Sequence, residues 1–80
     1  MRVDKFLKNS RLIKRRTVAK EACDGGRISI NGKTVKAGDE IKIGDQIEIR
    51  FGSNTIKAEI LSIPQVATKE NAADMYKIIN

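Results

Sequence analysis

Residues 18–36 run Val18-Ala19-Lys20-Glu21-Ala22-Cys23-Asp24-Gly25-Gly26-Arg27-Ile28-Ser29-Ile30-Asn31-Gly32-Lys33-Thr34-Val35-Lys36, and the hydrophobic period changes within them. Up to Asp24 the apolar residues Val18, Ala19, Ala22 and Cys23 recur at helical spacing, whereas beyond the glycine pair they alternate with a period of two. Gly25-Gly26 supplies the helix stop, because glycine reaches the left-handed conformation past a helix end at little cost. Asn31-Gly32 predicts a two-residue type I′ hairpin turn, in which both central residues need positive φ. Helix followed by hairpin gives an α+β chain.

Upstream, Val3, Phe6 and Leu7 stand at i, i+3 and i+4, followed by Leu12 and Ile13, so a first amphipathic helix precedes the one ending at Gly25. Asn9-Ser10 marks the break, and the second helix starts between Ser10 and Thr17. Downstream, Gly38-Asp39 and Gly44-Asp45 are turn signals around Glu40-Ile41-Lys42-Ile43. Gln46 to Phe51 alternates with Ile47, Ile49 and Phe51 on one face; Gly52-Ser53-Asn54 turns the chain, and a strand is expected over Thr55–Ile63, ended by Pro64. Thr68 is a candidate N-cap for a short helix through Asn71, Ala72 and Ala73, and Tyr76-Lys77-Ile78-Ile79 reads equally well as a final extended piece.

The chain has 80 residues, 40% of them apolar, which suits one small domain over 1–80 with a modest core. No apolar run exceeds two residues, so neither a membrane span nor the apolar segment of a signal peptide is expected, and the reading is cytoplasmic. With no His and Cys23 as the single cysteine, there is no Ser-His or Cys-His pair and no zinc cluster of the usual ligands. The ten acids are scattered, mostly beside turns or alternating with apolar residues, which disfavours carboxylate catalysis. No enzyme activity, metal or cofactor is expected. Cys23 reads as a small buried apolar residue rather than a reactive thiol, since the adjacent Asp24 raises a thiol pKa.

The net charge of +6 is unevenly spread. Residues 1–20 carry eight basic groups against Asp4 alone, a net +7, while residues 21–80 carry eight basic and nine acidic groups, a net −1. A disordered basic arm has no reason to keep helical periodicity, so the two helices are expected to bury one side and present the basic side outward. Arg11 and Arg15, and Arg16 and Lys20, are i, i+4 neighbours. Like charges at that spacing destabilise a helix unless a polyanion neutralises them, which points to nucleic acid. The three aromatics, Phe6, Phe51 and Tyr76, all sit in apolar rhythm and read as core, so there is no stacking platform of the RRM or OB kind, nor a Gly-x-x-Gly clamp of the KH kind. What remains is recognition of phosphates and folded RNA shape by Arg and Lys on helices and a hairpin.

The ordered set Arg2-Val3-Asp4-Lys5-Phe6-Leu7, Ser10-Arg11-Leu12, Arg15-Arg16-Thr17, Ala19 and Gly26-Arg27-Ile28-Ser29-Ile30-Asn31-Gly32-Lys33 resembles the alpha-L RNA-binding domain family, named after small-subunit ribosomal protein S four. The resemblance covers about residues 1–52, leaving a C-terminal strand and short tail over 53–80. It implies a single small domain with two N-terminal basic helices packed on a small, mainly antiparallel β-sheet. The length, the Ser10-to-Thr17 stretch and the Met75-Tyr76 ending are similar to the family's short stand-alone members, namely its ribosome-quality-control branch and the heat-shock protein of fifteen kilodaltons.

That resemblance implies an RNA-binding factor acting on the stalled large (50S) ribosomal subunit that still holds a peptidyl-tRNA. The factor would contact 23S rRNA and the P-site tRNA, stabilise the latter, and support alanine tailing by RqcH on the same particle; this chain is expected to be a monomer. The alternative within the family is a heat-shock-type 50S recycling factor or an rRNA-maturation protein. Carried over position by position, the family's RNA contacts fall on Arg2, Lys5, Arg11, Lys14, Arg15, Arg16, Lys20, Arg27, Asn31 and Lys33. Asp4 stands apart: it either orients Arg2 or another nearby Arg, or caps the first helix. For Asn31 the turn is the primary reading and an RNA contact secondary. Two other classes are disfavoured. The targeting module of an RNA-modifying enzyme would be followed by a catalytic domain, and adhesion to an anionic membrane would need apolar residues that the core already takes.

Overall fold

A computed structural model describes residues 1–79. Two helices, α1 (Val3–Asn9) and α2 (Arg16–Asp24), precede β1 (Ile28–Ile30), β2 (Lys33–Thr34), β3 (Gln46–Phe51) and β4 (Asn54–Ile60); a short 3-10 turn over Ala72–Met75 leads into β5 (Tyr76–Ile78). The strands form one sheet in the order β2-β1-β3-β4-β5, and every pairing is antiparallel. Both helices and the sheet meet over one core. Val3, Phe6 and Leu7 of α1 and Ala19, Ala22 and Cys23 of α2 are buried with Ile28, Ile47, Ile49, Ala58 and Ile60 of the sheet.

The period change that marks the fold is visible in the backbone. After α2, Gly26 adopts φ +76°; its N–H donates to the Cys23 carbonyl at 3.0 Å and that of Arg27 to Ala22 at 3.0 Å, satisfying carbonyls the helix end leaves open. Asn31 and Gly32 have φ of +52° and +84°, the type I′ geometry, flanked by the pair Ile30–Lys33. Residues 1–3 run beside 39–41: the Val3 N–H donates to Asp39 (2.8 Å) and that of Ile41 to Met1 (3.0 Å), which fixes Arg2 at the entry to α1.

Four local expectations are revised. The strand expected over Thr55–Ile63 stops at Ile60, because Gln46, paired with Glu59, is the first residue of β3. Beyond it the Leu61 and Ser62 N–H groups turn to the Met75 carbonyl instead of a ladder. Phe51 shares a face with Ile47 and Ile49 but is 41% exposed, since its cross-strand partner is Asn54 at the mouth of the β3–β4 turn. Val18 lies one residue, about 100°, off the Ala19-Ala22-Cys23 stripe and is exposed. The short helix expected from an N-cap at Thr68 is instead a 3-10 turn at Ala72–Met75 whose N-cap is Asn71, while the segment after it takes the expected extended form as β5.

Candidate nucleic-acid interface

The site is organised by a buried acid. Asp4 occupies the first turn of α1 with only 2% of its surface exposed. Its Oδ1 accepts the Lys5 N–H at 2.8 Å and Arg2 Nε at 3.1 Å. Its Oδ2 accepts Arg2 Nη2 at 3.2 Å and Arg16 Nε at 3.5 Å. The carboxylate thus engages the amide of the next residue and both guanidinium groups together; it is not the cap of α1, whose N-cap is Arg2 with no side-chain cap bond. Both arginine side chains remain about half exposed. Arg16 reaches Asp4 through its Nε.

At the other end of α1 a second basic group forms. Lys8, in the last turn of α1, and Arg11 and Lys14, in the connection to α2, surround a cavity of about 250 Å³ together with Asn9, Ala67 and Thr68. The connection is tightly built: buried Ser10 donates its hydroxyl to the Leu7 carbonyl (3.2 Å) and accepts the Leu12 N–H (3.4 Å). Arg11 is held at φ +64°, its N–H donating to Lys8 at 3.1 Å. Left-handed backbone is uncommon outside glycine, Asn and Asp, and at Arg it strains the chain.

The remaining nominated residues are exposed but spread. Lys5 lies on α1 and Lys20 on α2, both exposed. Arg15 is the exposed, extended residue just before α2 and Arg11 lies in the connection, so these two are not the helical i, i+4 neighbours expected from their spacing. Arg27 sits past the far end of α2, separated from Arg16 by roughly 13 Å of helix. Beside it is Arg50, whose N–H donates to the Arg27 carbonyl at 3.0 Å and whose Nη2 donates to the Gly26 carbonyl. Lys33 lies on the outer strand β2. Asn31 uses its side-chain amide internally, donating to Asp45 at 3.0 Å and accepting the Gln46 N–H at 2.9 Å. Sequence reasoning passed over Lys8, although Lys8, Arg11 and Lys14 recur every three residues, and over Arg50, whose position beside Arg27 depends on the β1–β3 pairing.

Cys23 is fully buried in α2, and burial, with Asp4, Asp24 and Asp39 adding to it, pushes its thiol up to about 11. It is a packing residue with no nucleophilic character at neutral pH. No helix among the described residues is long and apolar enough to cross a membrane.

The chain is similar to known proteins over nearly its whole length. The S4 domain family matches residues 1–47. The RQC P-site tRNA stabilizing factor of Bacillus subtilis is 52% identical over 79 residues, 99% of this chain and 92% of that protein. Its Listeria monocytogenes counterpart is 54% identical over 79 residues, 99% and 86% of the two chains. Among solved structures, the trimeric Vibrio cholerae heat shock protein 15 superposes with a TM-score of 0.89 at 29% identity, covering 99% of this chain and 81% of that one.

Proposed function

The chain belongs to the S4 domain family, and from that premise we propose that it is a non-catalytic RNA-binding factor of ribosome-associated quality control, stabilising the P-site tRNA on a stalled large ribosomal subunit. The observation that carries the reading is the shared carboxylate. Asp4, buried and bonded to Arg2 and Arg16, holds two guanidinium groups at one spot with donors left over. A guanidinium already held in place loses less entropy when it binds phosphate, and its planar fork matches phosphate oxygens in pairs. The near full-length likeness to P-site tRNA stabilizing factors supports the choice of substrate.

In this reading Arg2 and Arg16 form the central contact, with Lys5 on α1, Arg11, Lys14 and Arg15 on the connection and Lys20 on α2 extending it, and Arg27 and Lys33 at its far edge. The partners are 23S rRNA and the P-site tRNA, with RqcH on the same particle, and the factor works in the cytoplasm as a monomer. Co-sedimentation with purified large subunits carrying a P-site tRNA tests it: folded Arg2→Ala and Arg16→Ala variants lose binding, and retention by both would overturn the reading. The likeness in fold to heat shock protein 15 keeps one alternative, a recycling factor with no part in tailing. Alanine tails on stalled peptides separate the two, since they are lost in a deletion strain only if the chain supports tailing.

A further inference from the structure

The cavity beside Lys8 is not explained by the Asp4 cluster, and its walls come from two parts of the chain. One wall is the end of α1 and the connection to α2, with Lys8, Asn9, Arg11 and Lys14; the other is Ala67 and Thr68, outside the matched family segment of residues 1–47. Three cations line it and no carboxylate does. The contrast with Arg2 and Arg16, which share a buried acid, is chemical: Lys8, Arg11 and Lys14 form no ion pair among the described residues. Three like charges around one cavity repel one another, a cost that an anion in the cavity removes.

The second wall is a built element. The Thr68 N–H donates to Asn71 Oδ1 at 2.8 Å, the Asn71 N–H to Thr68 Oγ1 at 3.2 Å, and Asn71 Nδ2 to the Val66 carbonyl at 3.1 Å. Residues 66–71 therefore keep a defined shape against the α1–α2 connection. At about 250 Å³ the cavity is below the ~300–1,000 Å³ of sites for drug-sized molecules. Its lining holds cations and no aromatic side chain, which suits a phosphate group rather than a stacked base.

Resting on the RNA-binding reading above, we propose that Lys8, Arg11 and Lys14, closed off by Ala67–Thr68, form a second phosphate subsite that takes one backbone phosphate of the bound RNA, separate from the Asp4-oriented pair. The C-terminal segment then contributes to binding by shaping the pocket, with no charge of its own in the lining. Lys8 is a direct contact, placed about 9 Å along α1 from Arg2.

The test compares binding of the intact chain and its variants to purified large subunits carrying a P-site tRNA, as a function of salt. Lys8→Gln and Lys14→Gln each lower affinity roughly three- to fivefold and reduce the log-log salt slope by about 1. Ala67→Asp, which adds a carboxylate to the far wall, weakens binding at least as much with circular dichroism unchanged; Ala67→Ser, similar in size and neutral, stays within twofold of the parent. If Lys8→Gln, Lys14→Gln and Ala67→Asp all keep parental affinity and slope while Arg2→Ala loses binding, the subsite is overturned and the RNA-binding reading stands. If Arg2→Ala also keeps parental binding, the wider reading fails as well. Titration with inorganic phosphate checks the source: perturbation of the Asn9, Arg11 and Thr68 amides without any variant effect on subunit binding would overturn the assignment to RNA.

Discussion

Arg16 Nε at the start of α2 lies 3.5 Å from Asp4 Oδ2 in the first turn of α1, so a carboxylate with a 3% exposed side chain ties the two helices together at their N-terminal ends. The same carboxylate takes two bonds from Arg2. An acid in the middle of a cationic surface weakens attraction to RNA at long range, yet it fixes the geometry of the two groups best suited to phosphate. The geometric gain outweighs the lost charge when binding needs an oriented fork rather than a diffuse field.

Asp4→Asn should therefore weaken RNA binding even though it raises the net charge by one. The isosteric amide keeps Oδ1 as acceptor for the Lys5 N–H and Arg2 Nε, but puts an N–H donor where Oδ2 accepts Arg2 Nη2 and Arg16 Nε, so the paired fork and the tie to α2 are lost. Because both arginines are half exposed, the stability loss stays near 1 kcal/mol, a fall of about 4–8 °C in Tm for a domain of this size. Affinity for large subunits is expected to drop about tenfold, close to the effect of Arg2→Ala. An increase in affinity, as simple charge addition predicts, would refute the orienting role.

The hairpin and β3 were legible because their signals are local: Asn31-Gly32 has few other uses, and Ile47-Glu48-Ile49 alternates cleanly. The end of α2 was legible for the same reason, in the glycine pair. The end of β4 was not, because it depends on where β3 begins, across a turn. Exposure of Phe51 was hidden too, since alternation assigns a face but not whether anything covers that face at the strand's end. At the site, spacing left two roles open for Asp4 and only the fold shows that Arg2, Lys5 and Arg16 converge on it. The cavity wall at Ala67–Thr68 carries no charge and lies more than fifty residues from Lys14, so no periodicity points to it.

Cys23 predicts an alkaline dependence of stability. Its thiol is raised from 9.0 to about 11, mainly by burial, so the folded chain holds the proton more tightly than the unfolded one. That contribution is full below pH 9 and is lost as pH rises from 9 towards 11, amounting to about 2–3 kcal/mol. Urea unfolding at pH 8, 9.5 and 10.5 should show the parent losing more stability than Cys23→Ala, with the gap between them narrowing. Iodoacetamide should label the folded parent slowly at neutral pH. Parallel pH curves for the two proteins would contradict this account.

Salt should distinguish surface contacts from a packed protein interface. If about five phosphates are neutralised by the oriented pair and its neighbours, log affinity should fall against log salt with a slope near −4 to −5. Arg2→Ala should make the slope shallower by about 1, whereas Val18→Ala, on the exposed side of α2, should leave it unchanged. A slope near zero would mean that binding is not carried by phosphate contacts.

Arg11 gives the sharpest separation of stability from function. Its φ of +64° costs about 1–2 kcal/mol relative to an ordinary conformation for a residue with a Cβ, and glycine escapes that cost. Against this, glycine makes the unfolded chain more flexible, which takes back roughly 0.4–1 kcal/mol. Arg11→Gly should accordingly fold as well as the parent or better, with Tm unchanged or up to several degrees higher. The same change removes one of the three cations at the cavity, so binding to large subunits should weaken several-fold. Strain retained at a charged residue where glycine would relieve it is expected when the side chain is needed at that spot. A variant that is both less stable and equally active would show that Arg11 serves the fold of the α1–α2 connection instead.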